Sequence, residues 1–195
     1  MKGFLFPTPP SEFLNYAEYP KRFSQGECDS IIAIGKSLPL KPATVARDRH
    51  VDEEARKSNV RWLEYKEEYK WIWNKLTDLA QVSNKNFFHF ELAGCLEDIQ
   101  FTEYDSNDSH YDWHTDYGPG GALKRRLSLV TQLSSPDSYE GGNLQLFYDR
   151  QPVTVQPGRG NVVVFPSYTL HKVTPVTQGV RYSLVLWVSG LTSYK

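Results

Sequence analysis

The second half of the chain is built from short, evenly spaced runs of β-forming residues, and this pattern restricts the fold most. Five candidate strands follow Phe87, separated by clusters of Gly, Pro, Asn, Asp and Ser that are typical of turns. No strand–helix alternation is visible there, which disfavours a parallel α/β sheet. The pattern predicts an antiparallel sandwich or barrel, with a jelly roll as the natural architecture. The candidate strands cover residues 97–104, 126–133, 143–148, 161–165 and 180–188.

The first half of the chain contains two predicted helices that would pack on the outside of this β structure. Ser24 and Glu27 have the spacing of a capping box, so a helix is expected to begin there and to end near Pro39. Apolar residues recur at helical spacing within 65–84, which predicts the second helix. The fold class is therefore mainly β with added helices (α+β). The other predicted segments are an irregular arm over 1–23, short strands at 41–47 and 60–62, and a charged surface loop at 48–58.

Length and charge narrow the class of protein. The 195 residues suit a single domain (1–195), with 1–95 as a helical support region and 96–190 as the jelly-roll core. The formal net charge of −1 gives no reason to expect nucleic acid or a membrane surface as a partner, and no apolar run is long enough for a membrane span. Cys28 and Cys95 are far apart, which indicates buried thiols in a reducing compartment and a cytoplasmic location.

His114 and Asp116 are two residues apart, so in an extended segment both side chains would point to the same face. This spacing alone is a weak signal for a metal site. His171, which follows a run of β-branched residues, is the strongest candidate for a third ligand. Two histidines and one carboxylate form the facial triad of non-haem iron oxygenases, in which the remaining metal positions stay open.

Arg181 lies in the otherwise apolar strand predicted at 180–188. Alternation along this strand would place Arg181, Ser183, Val185 and Trp187 on one face. A planar guanidinium can hold a carboxylate through two hydrogen bonds, and the Ser183 hydroxyl could contact the same group. The alternative is that Arg181 pairs with a carboxylate of the protein, such as Glu103.

An ordered set of motifs over about residues 95–190 resembles the Fe(II)/2-oxoglutarate-dependent dioxygenases of the prolyl 4-hydroxylase-like family. The motifs are QFTEY at 100–104, YDWHTD at 111–116, RLSLVTQLS at 126–134, YEGGNL at 139–144, GNVVVFPS at 160–167, HKVTPV at 171–176 and GVRYSL at 179–184. The resemblance implies a double-stranded β-helix with His114, Asp116 and His171 as the catalytic iron ligands. It also implies that Arg181 anchors the distal carboxylate of 2-oxoglutarate.

Two further cosubstrate contacts are suggested by the same resemblance. Tyr104 matches a tyrosine that hydrogen-bonds 2-oxoglutarate in related enzymes, although it could equally be a core aromatic. Gln132 stands where some relatives carry a second such tyrosine, and an amide could still donate a hydrogen bond.

Segment 118–122 could be a lid or an ordinary surface hairpin, and segment 48–58 could close over substrate.

The activity that the resemblance implies is hydroxylation of an unactivated C–H bond, on a prolyl residue or a related amino-acid unit. The cofactors would be Fe(II), 2-oxoglutarate and O2, with succinate and CO2 as coproducts, and ascorbate as an optional reductant. The substrate class stays open between a peptide or protein and a small amino-acid-like molecule, and a homodimer is compatible with the sequence. The alternatives are a non-catalytic cupin-like metal-binding or assembly module and a metal-dependent isomerase or hydrolase of jelly-roll type.

Overall fold

The computed structural model describes residues 14–41, 54–148 and 150–192. Within these ranges the chain forms two α-helices and thirteen strands. The helices are α1 (Gln25–Ser37) and α2 (Lys70–Ser83). The strands are β1 (Ala17–Tyr19), β2 (Arg56–Lys57), β3 (Asn59–Leu63), β4 (Leu92–Gly94), β5 (Ile99–Asp105), β6 (His110–His114), β7 (Arg125–Gln132), β8 (Tyr139–Gly141), β9 (Leu144–Tyr148), β10 (Gln151–Thr154), β11 (Val162–Pro166), β12 (His171–Val173) and β13 (Val176–Gly190).

Both helices begin and end close to where the sequence predicts. The capping box of α1 is present, because the Ser24 side chain accepts from the backbone N–H of Glu27 and the Glu27 carboxylate accepts from the Ser24 N–H. Helix α2 is preceded by a 3-10 turn (Glu67–Tyr69) and continues into a π-helical turn (Asn84–Phe88). The predicted second helix is therefore correct in place but divided into three geometries.

The described strands form two sheets that face each other as in a jelly roll. The larger sheet has the order β1-β11-β7-β13-β5-β3, and β4 and β8 also pair with β13. The smaller sheet has the order β10-β9-β12-β6-β2. The long strand β13 connects most of the larger sheet, because it pairs with β5, β7, β8 and β4 along its length.

Alternate residues of the larger sheet serve two separate cores. One set faces the two helices, and this core includes Phe101, Leu129 and Leu186 together with Ile72 and Leu76 of α2. The opposite set faces the smaller sheet and the candidate site. The apolar part of this second core comprises Tyr104, Val130, Leu144, Leu146, Val155, Val163, Phe165, Val173 and Val176. A period of two along each strand is what allows one sheet to be buried on both faces.

Helix α1 packs closely against the larger sheet at Gly35. A Cβ atom added to Gly35 would overlap the ring of Phe101 in β5. The neighbouring Ile31 is also fully buried, so this part of α1 packs without solvent between helix and sheet. The glycine is therefore required by the closeness of packing and not by its backbone conformation.

The five strands predicted in the second half are all present, with β13 longer than expected. The N-terminal region differs more, because it adds β1, β3 and β4 to the larger sheet and β2 to the smaller one as well as supplying the outer helices. The predicted loop at 48–58 ends in β2, and its residues 48–53 lie outside the described ranges. The predicted strand at 41–47 also lies outside them, apart from Lys41, which bridges to Val60.

Two smaller expectations concern the cysteines and membrane spans. Cys28 is fully buried and Cys95 is partly buried, and both are free thiols. Neither helix in the described part of the chain has the length and apolar character needed to cross a membrane.

Candidate metal centre

His114, Asp116 and His171 converge at one point between the two sheets. Each offers one ligand atom, and these three atoms lie within 4.8 Å of one another. Asp116 Oδ1 is 3.8 Å from His114 Nε2, and Asp116 Oδ2 is 3.6 Å from His171 Nε2. In the part of the chain that the structure describes, this is the one cluster of three such side chains with metal-ligand spacing.

The backbone selects the tautomer of both histidines. His114 Nδ1 lies 2.7 Å from the Asp112 carbonyl oxygen, and His171 Nδ1 lies 2.9 Å from the Thr169 carbonyl oxygen. A carbonyl oxygen can only accept, so each Nδ1 carries the proton and donates it. The Nε2 lone pairs are then free and point toward Asp116, which is the arrangement that metal-binding histidines use.

Charge and burial favour the ligand forms of these groups. Burial is the main cause that lowers the pKa of His114 to about 3, and nearby His171 acts in the same direction while Asp116 opposes it. Burial would raise the pKa of Asp116, but His171, His114, Arg125 and the hydrogen bond from Ser128 together lower it to about 2. A neutral imidazole and an ionised carboxylate are the protonation states that coordinate a cation.

The sequence predicted that His114 and Asp116 lie in one extended segment, but the backbone conformation differs from this prediction. Strand β6 ends at His114, so Asp116 lies in the turn that follows the strand. A bulge also interrupts β6, because His114 pairs with His171 while Tyr111 pairs with Val173. The extra residue brings Tyr111 onto the side of His114, and their rings stack with centroids 3.4 Å apart.

A second layer of polar groups holds Asp116. Ser128 in β7 donates a hydrogen bond of 2.6 Å to Asp116 Oδ2, and Ser167 lies 3.0 Å from the same Ser128 hydroxyl. Arg125 Nη1 donates to the Asp116 carbonyl oxygen at 3.2 Å. These partners orient the carboxylate toward the two imidazoles. Sequence reasoning missed them, because nothing in the run 126–134 distinguishes Ser128 from an ordinary inward-facing serine.

A cavity of about 240 Å³ opens from the candidate metal centre. The four residues predicted to share one face of β13, Arg181, Ser183, Val185 and Trp187, all line it, which confirms the alternation along that strand. The side chain of Arg181 is almost completely buried, with 2% of its surface exposed. The cavity therefore joins a candidate metal centre to a buried guanidinium.

Arg181 has no carboxylate partner among the described residues. The alternative partner, Glu103, instead forms an ion pair of 3.0 Å with Arg61. Register explains this, because Arg181 pairs with Tyr104 while Glu103 pairs with Tyr182 on the opposite face of the sheet. A buried charge without a counter-ion is costly, so this position suits an anionic ligand.

Tyr104 and Ser183 lie beside Arg181. The guanidinium carbon of Arg181 is 5.3 Å from the centroid of the Tyr104 ring, and Arg181 Nη1 is 3.5 Å from Ser183 Oγ. Tyr139, which was not among the predicted site residues, also lies near Arg181, whose positive charge opposes the rise that burial causes in the pKa of Tyr139. All three residues can position the guanidinium, and Tyr104 and Ser183 line the same cavity.

Gln132, which was predicted to contact the cosubstrate, does not line the cavity that contains the candidate metal centre. It lines a separate void of about 30 Å³ together with Tyr139 and Arg181. Its amide nitrogen donates to the Tyr139 hydroxyl at 2.9 Å and to the Ser134 carbonyl oxygen at 3.3 Å. Because both N–H groups are engaged, Gln132 supports Arg181 through Tyr139 and has no free donor for a cosubstrate in this arrangement.

Arg125 closes another side of the cavity as part of a neutral pair. It makes hydrogen bonds of 2.7 and 2.5 Å to the two carboxylate oxygens of Glu97. Its guanidinium carbon also lies 3.8 Å from the centroid of the Trp187 ring. Segment 118–122, for which the sequence left open a lid or an ordinary surface hairpin, leads into this residue and partly forms a 3-10 turn (Gly120–Lys124).

Comparison with known proteins agrees with this site. Residues 99–189 match the family model of the 2OG-Fe(II) oxygenase superfamily, and they include the three candidate ligands and Arg181. The chain is 34% identical over 110 residues to the PKHD-type hydroxylase YbiX of Escherichia coli O6:K15:H31, a match that covers 54% of this chain and 48% of that protein. The chain thus spans about half the length of the curated relatives it matches.

Solved structures share the fold at low identity. A prolyl hydroxylase from Trichoplax adhaerens, in complex with a hypoxia inducible factor peptide fragment, aligns with a TM-score of 0.74 at 17% identity, over 90% of this chain and 83% of that one. A Pseudomonas putida prolyl-4-hydroxylase aligns with a TM-score of 0.72 at 21% identity, over 91% and 94%. These two structures show that the fold is shared, and residues 99–189, slightly less than half of the chain, are similar in sequence to the 2OG-Fe(II) oxygenase superfamily.

Proposed function

We propose that this chain is an Fe(II)- and 2-oxoglutarate-dependent dioxygenase that hydroxylates an unactivated C–H bond, with succinate and CO2 as coproducts. One observation carries the proposal. A cavity of about 240 Å³ has the His114, Asp116 and His171 cluster on one side and, on another, the buried Arg181, which has no carboxylate partner among the described residues. The cluster suits iron, and the guanidinium suits the distal carboxylate of 2-oxoglutarate.

The three ligand residues would hold Fe(II) through His114 Nε2, His171 Nε2 and the Asp116 carboxylate. Both Nε2 atoms carry free lone pairs because their Nδ1 protons are donated to backbone carbonyls. Ser128 keeps the carboxylate turned toward the imidazoles. When bound, iron and 2-oxoglutarate supply the activation of O2, and the protein supplies orientation and the cavity that holds them.

Arg181 would bind the distal carboxylate of 2-oxoglutarate as a bidentate ion pair. Tyr104 and Ser183 would lie against the same end of the cosubstrate, since both line the cavity next to the guanidinium. Gln132 would act indirectly, because its amide holds the Tyr139 hydroxyl, and Tyr139 lines the same small void as Arg181. A site that fixes both ends of a dianion can orient its 2-oxo acid group toward the metal.

The proposed substrate is a prolyl residue or a related amino-acid unit. The names of the relatives support this choice, since two of the solved neighbours are prolyl hydroxylases and one of them holds a peptide. We further propose a single domain with residues 96–190 as its catalytic core, and a cytoplasmic location, which the two free thiols support.

The test has two stages. Mixing the folded protein anaerobically with Fe(II) and 2-oxoglutarate should produce a weak visible charge-transfer band, and a metal-loaded sample without this band would contradict the cosubstrate assignment. A screen of proline-containing peptides and free amino acids should then identify a compound that increases succinate formation and O2 consumption. The Arg181→Leu variant serves as the control, because it should lose the band at the same 2-oxoglutarate concentration.

The competing function is a non-catalytic cupin-like module that binds a metal for assembly. Such a module needs the metal ligands but has no use for a buried arginine without a carboxylate partner. The absence of succinate formation with every compound in the screen, in a protein that binds metal, would favour this alternative.

A further inference from the structure

Three arginines line the cavity, and they differ in whether a protein carboxylate neutralises them. Arg125 is paired with Glu97, and Arg181 is available for 2-oxoglutarate. The third, Arg56 in β2, is buried with 6% of its surface exposed and has no carboxylate partner among the described residues. The sequence did not indicate a role for Arg56, because it lies within the segment 48–58 that was predicted to be a surface loop.

The surroundings of Arg56 leave part of its guanidinium unsatisfied. Its Nε donates a hydrogen bond of 2.9 Å to Ser58 Oγ, and its guanidinium carbon lies 4.5 Å from the centroid of the Tyr111 ring. Its Nη2 is buried and has no hydrogen-bond partner among the residues that the structure describes. An unpaired donor on a buried charge is costly, so its position in a ligand cavity points to an acceptor supplied by a ligand.

A second unpaired donor lines the same cavity. The indole Nε1 of Trp187 is buried and has no acceptor within the described part of the chain. Trp187 lies on the larger sheet and Arg56 on the smaller one, so the two donors belong to opposing sheets of the cavity. Together they indicate a ligand with acceptor atoms, distinct from the groups that Arg181 contacts.

Charge balance gives the number of missing negative charges. The described charged residues that line the cavity are the three arginines together with Glu97 and Asp116, and both metal-facing histidines are arranged to bind through neutral Nε2 atoms. Fe(II) would add two positive charges and 2-oxoglutarate two negative ones. The loaded cavity therefore keeps one positive charge, which a single monoanionic group would neutralise.

Arg56 is separated from the proposed cosubstrate anchor. The guanidinium of Arg56 covers Tyr111, and the Tyr111 ring stacks on the metal-facing His114. Arg181 is held instead on β13 beside Tyr104. An anion on Arg56 would therefore lie on the His114 side of the metal centre, where it could be part of the molecule that is oxidised.

We propose that Arg56 is a specificity-determining residue that binds a free carboxylate of the substrate. A guanidinium fork matches a carboxylate, and a monoanion fits the single remaining positive charge better than a phosphate dianion. The carboxylate would be the α-carboxylate of a free amino acid or of a C-terminal residue. This inference rests on the proposed oxygenase function and narrows its substrate from any prolyl unit to one that carries a free carboxylate.

The experiment compares acids with their neutral amides on the Fe(II)- and 2-oxoglutarate-loaded protein under anaerobic conditions. The probes are L-proline, glycyl-L-proline and a panel of other free amino acids, each beside its amide, together with the mid-chain mimic N-acetyl-proline methylamide. Binding is measured by the perturbation of the charge-transfer band and by calorimetry. Free amino acids and dipeptides are separate arms, so the two sources of an α-carboxylate are distinguished.

The variants test the residue itself. Arg56→Gln should weaken binding of the preferred acid at least tenfold while leaving 2-oxoglutarate affinity unchanged, and Arg56→Lys should recover part of the loss. Lys57→Gln is the matched control, because Lys57 is the next residue of β2, is exposed, and its ammonium group donates to the Asn107 carbonyl oxygen. Thermal melting of each variant establishes that it is folded.

The outcomes separate this inference from the proposed function. If the wild-type protein forms no charge-transfer band, the oxygenase proposal fails. If the band forms but no acid in the panel binds better than its amide, including the case in which none binds, the role of Arg56 is overturned. A loss of 2-oxoglutarate affinity in Arg56→Gln would also overturn it, because Arg56 would then serve the cosubstrate.

Discussion

Ser128 donates a hydrogen bond of 2.6 Å to Asp116 Oδ2, the same oxygen that faces His171 Nε2 at 3.6 Å. The serine is fully buried in β7, and its hydroxyl is held in turn by Ser167. These hydrogen bonds already restrict the rotation of the Asp116 carboxylate, so little further rotational freedom is lost when its oxygens bind a metal.

We expect Ser128→Ala to weaken Fe(II) binding by about 10- to 100-fold, because groups that orient metal ligands typically contribute that much to metal affinity. The measurement is a competition titration with a chelator under anaerobic conditions. Ser138→Ala is the control, since the Ser138 hydroxyl is exposed and donates to the nearby Ser135 carbonyl oxygen. Equal affinities for the two variants would mean that Asp116 does not depend on Ser128 for its orientation.

Arg181→Leu should reduce 2-oxoglutarate affinity by at least about tenfold, since a hydrogen bond to a charged group contributes about 1.5–3 kcal/mol. Calorimetric titration of the metal-loaded protein measures this loss, and Arg181→Lys should recover only part of it because the planar fork is missing. The exposed Arg22→Leu is the control for a simple loss of charge. Unchanged affinity in Arg181→Leu would place the anchor elsewhere.

The contact between Gly35 and Phe101 gives a prediction for stability. Gly35→Ala should lower the free energy of unfolding by about 1–3 kcal/mol, because the added Cβ would overlap a fully buried ring. Gly26→Ala in the same helix is the matched control, since a Cβ there meets nothing within 4 Å and should be neutral or stabilising. Urea denaturation distinguishes them, and equal stability would show that α1 can shift away from the sheet.

Loss of the capping box should also be measurable. Ser24→Ala is expected to cost about 1 kcal/mol of the free energy of unfolding, because it removes the acceptor for the Glu27 N–H. Ser24→Asp should retain most of the stability, since Asp is an equally good N-cap residue. Ser30→Ala controls for the loss of an exposed hydroxyl within the same helix. A Ser24→Ala variant as stable as that control would contradict the prediction.

Much of the site follows from local sequence. Alternation along β13 is a property of any extended chain, so the common face of Arg181, Ser183, Val185 and Trp187 could be predicted before the structure was known. The turn signals located five strands for the same reason, because Gly, Pro, Asn and Asp restrict the backbone locally. The three ligands required one non-local step, which the resemblance of motifs provided.

Contacts between distant segments could not be predicted in this way. Arg56 lies beside Tyr111 only because β2 pairs with β6, and Glu103 is unavailable to Arg181 only because the β5–β13 register pairs it with Tyr182. The bulge that turns Tyr111 toward His114 likewise depends on how β12 pairs with β6.

The sequence by itself determined five strands of the second half, the first helix cap, the order of the metal-binding motifs and the face that carries Arg181. These features depend on the backbone preferences and side-chain periodicity of neighbouring residues. Only the tertiary structure decided which buried charges are neutralised, since Arg125 meets Glu97 and Arg61 meets Glu103, while Arg56 and Arg181 meet no carboxylate within the described ranges. The physical reason is that ion pairing depends on distances between segments far apart in the chain, which are set by sheet register and packing.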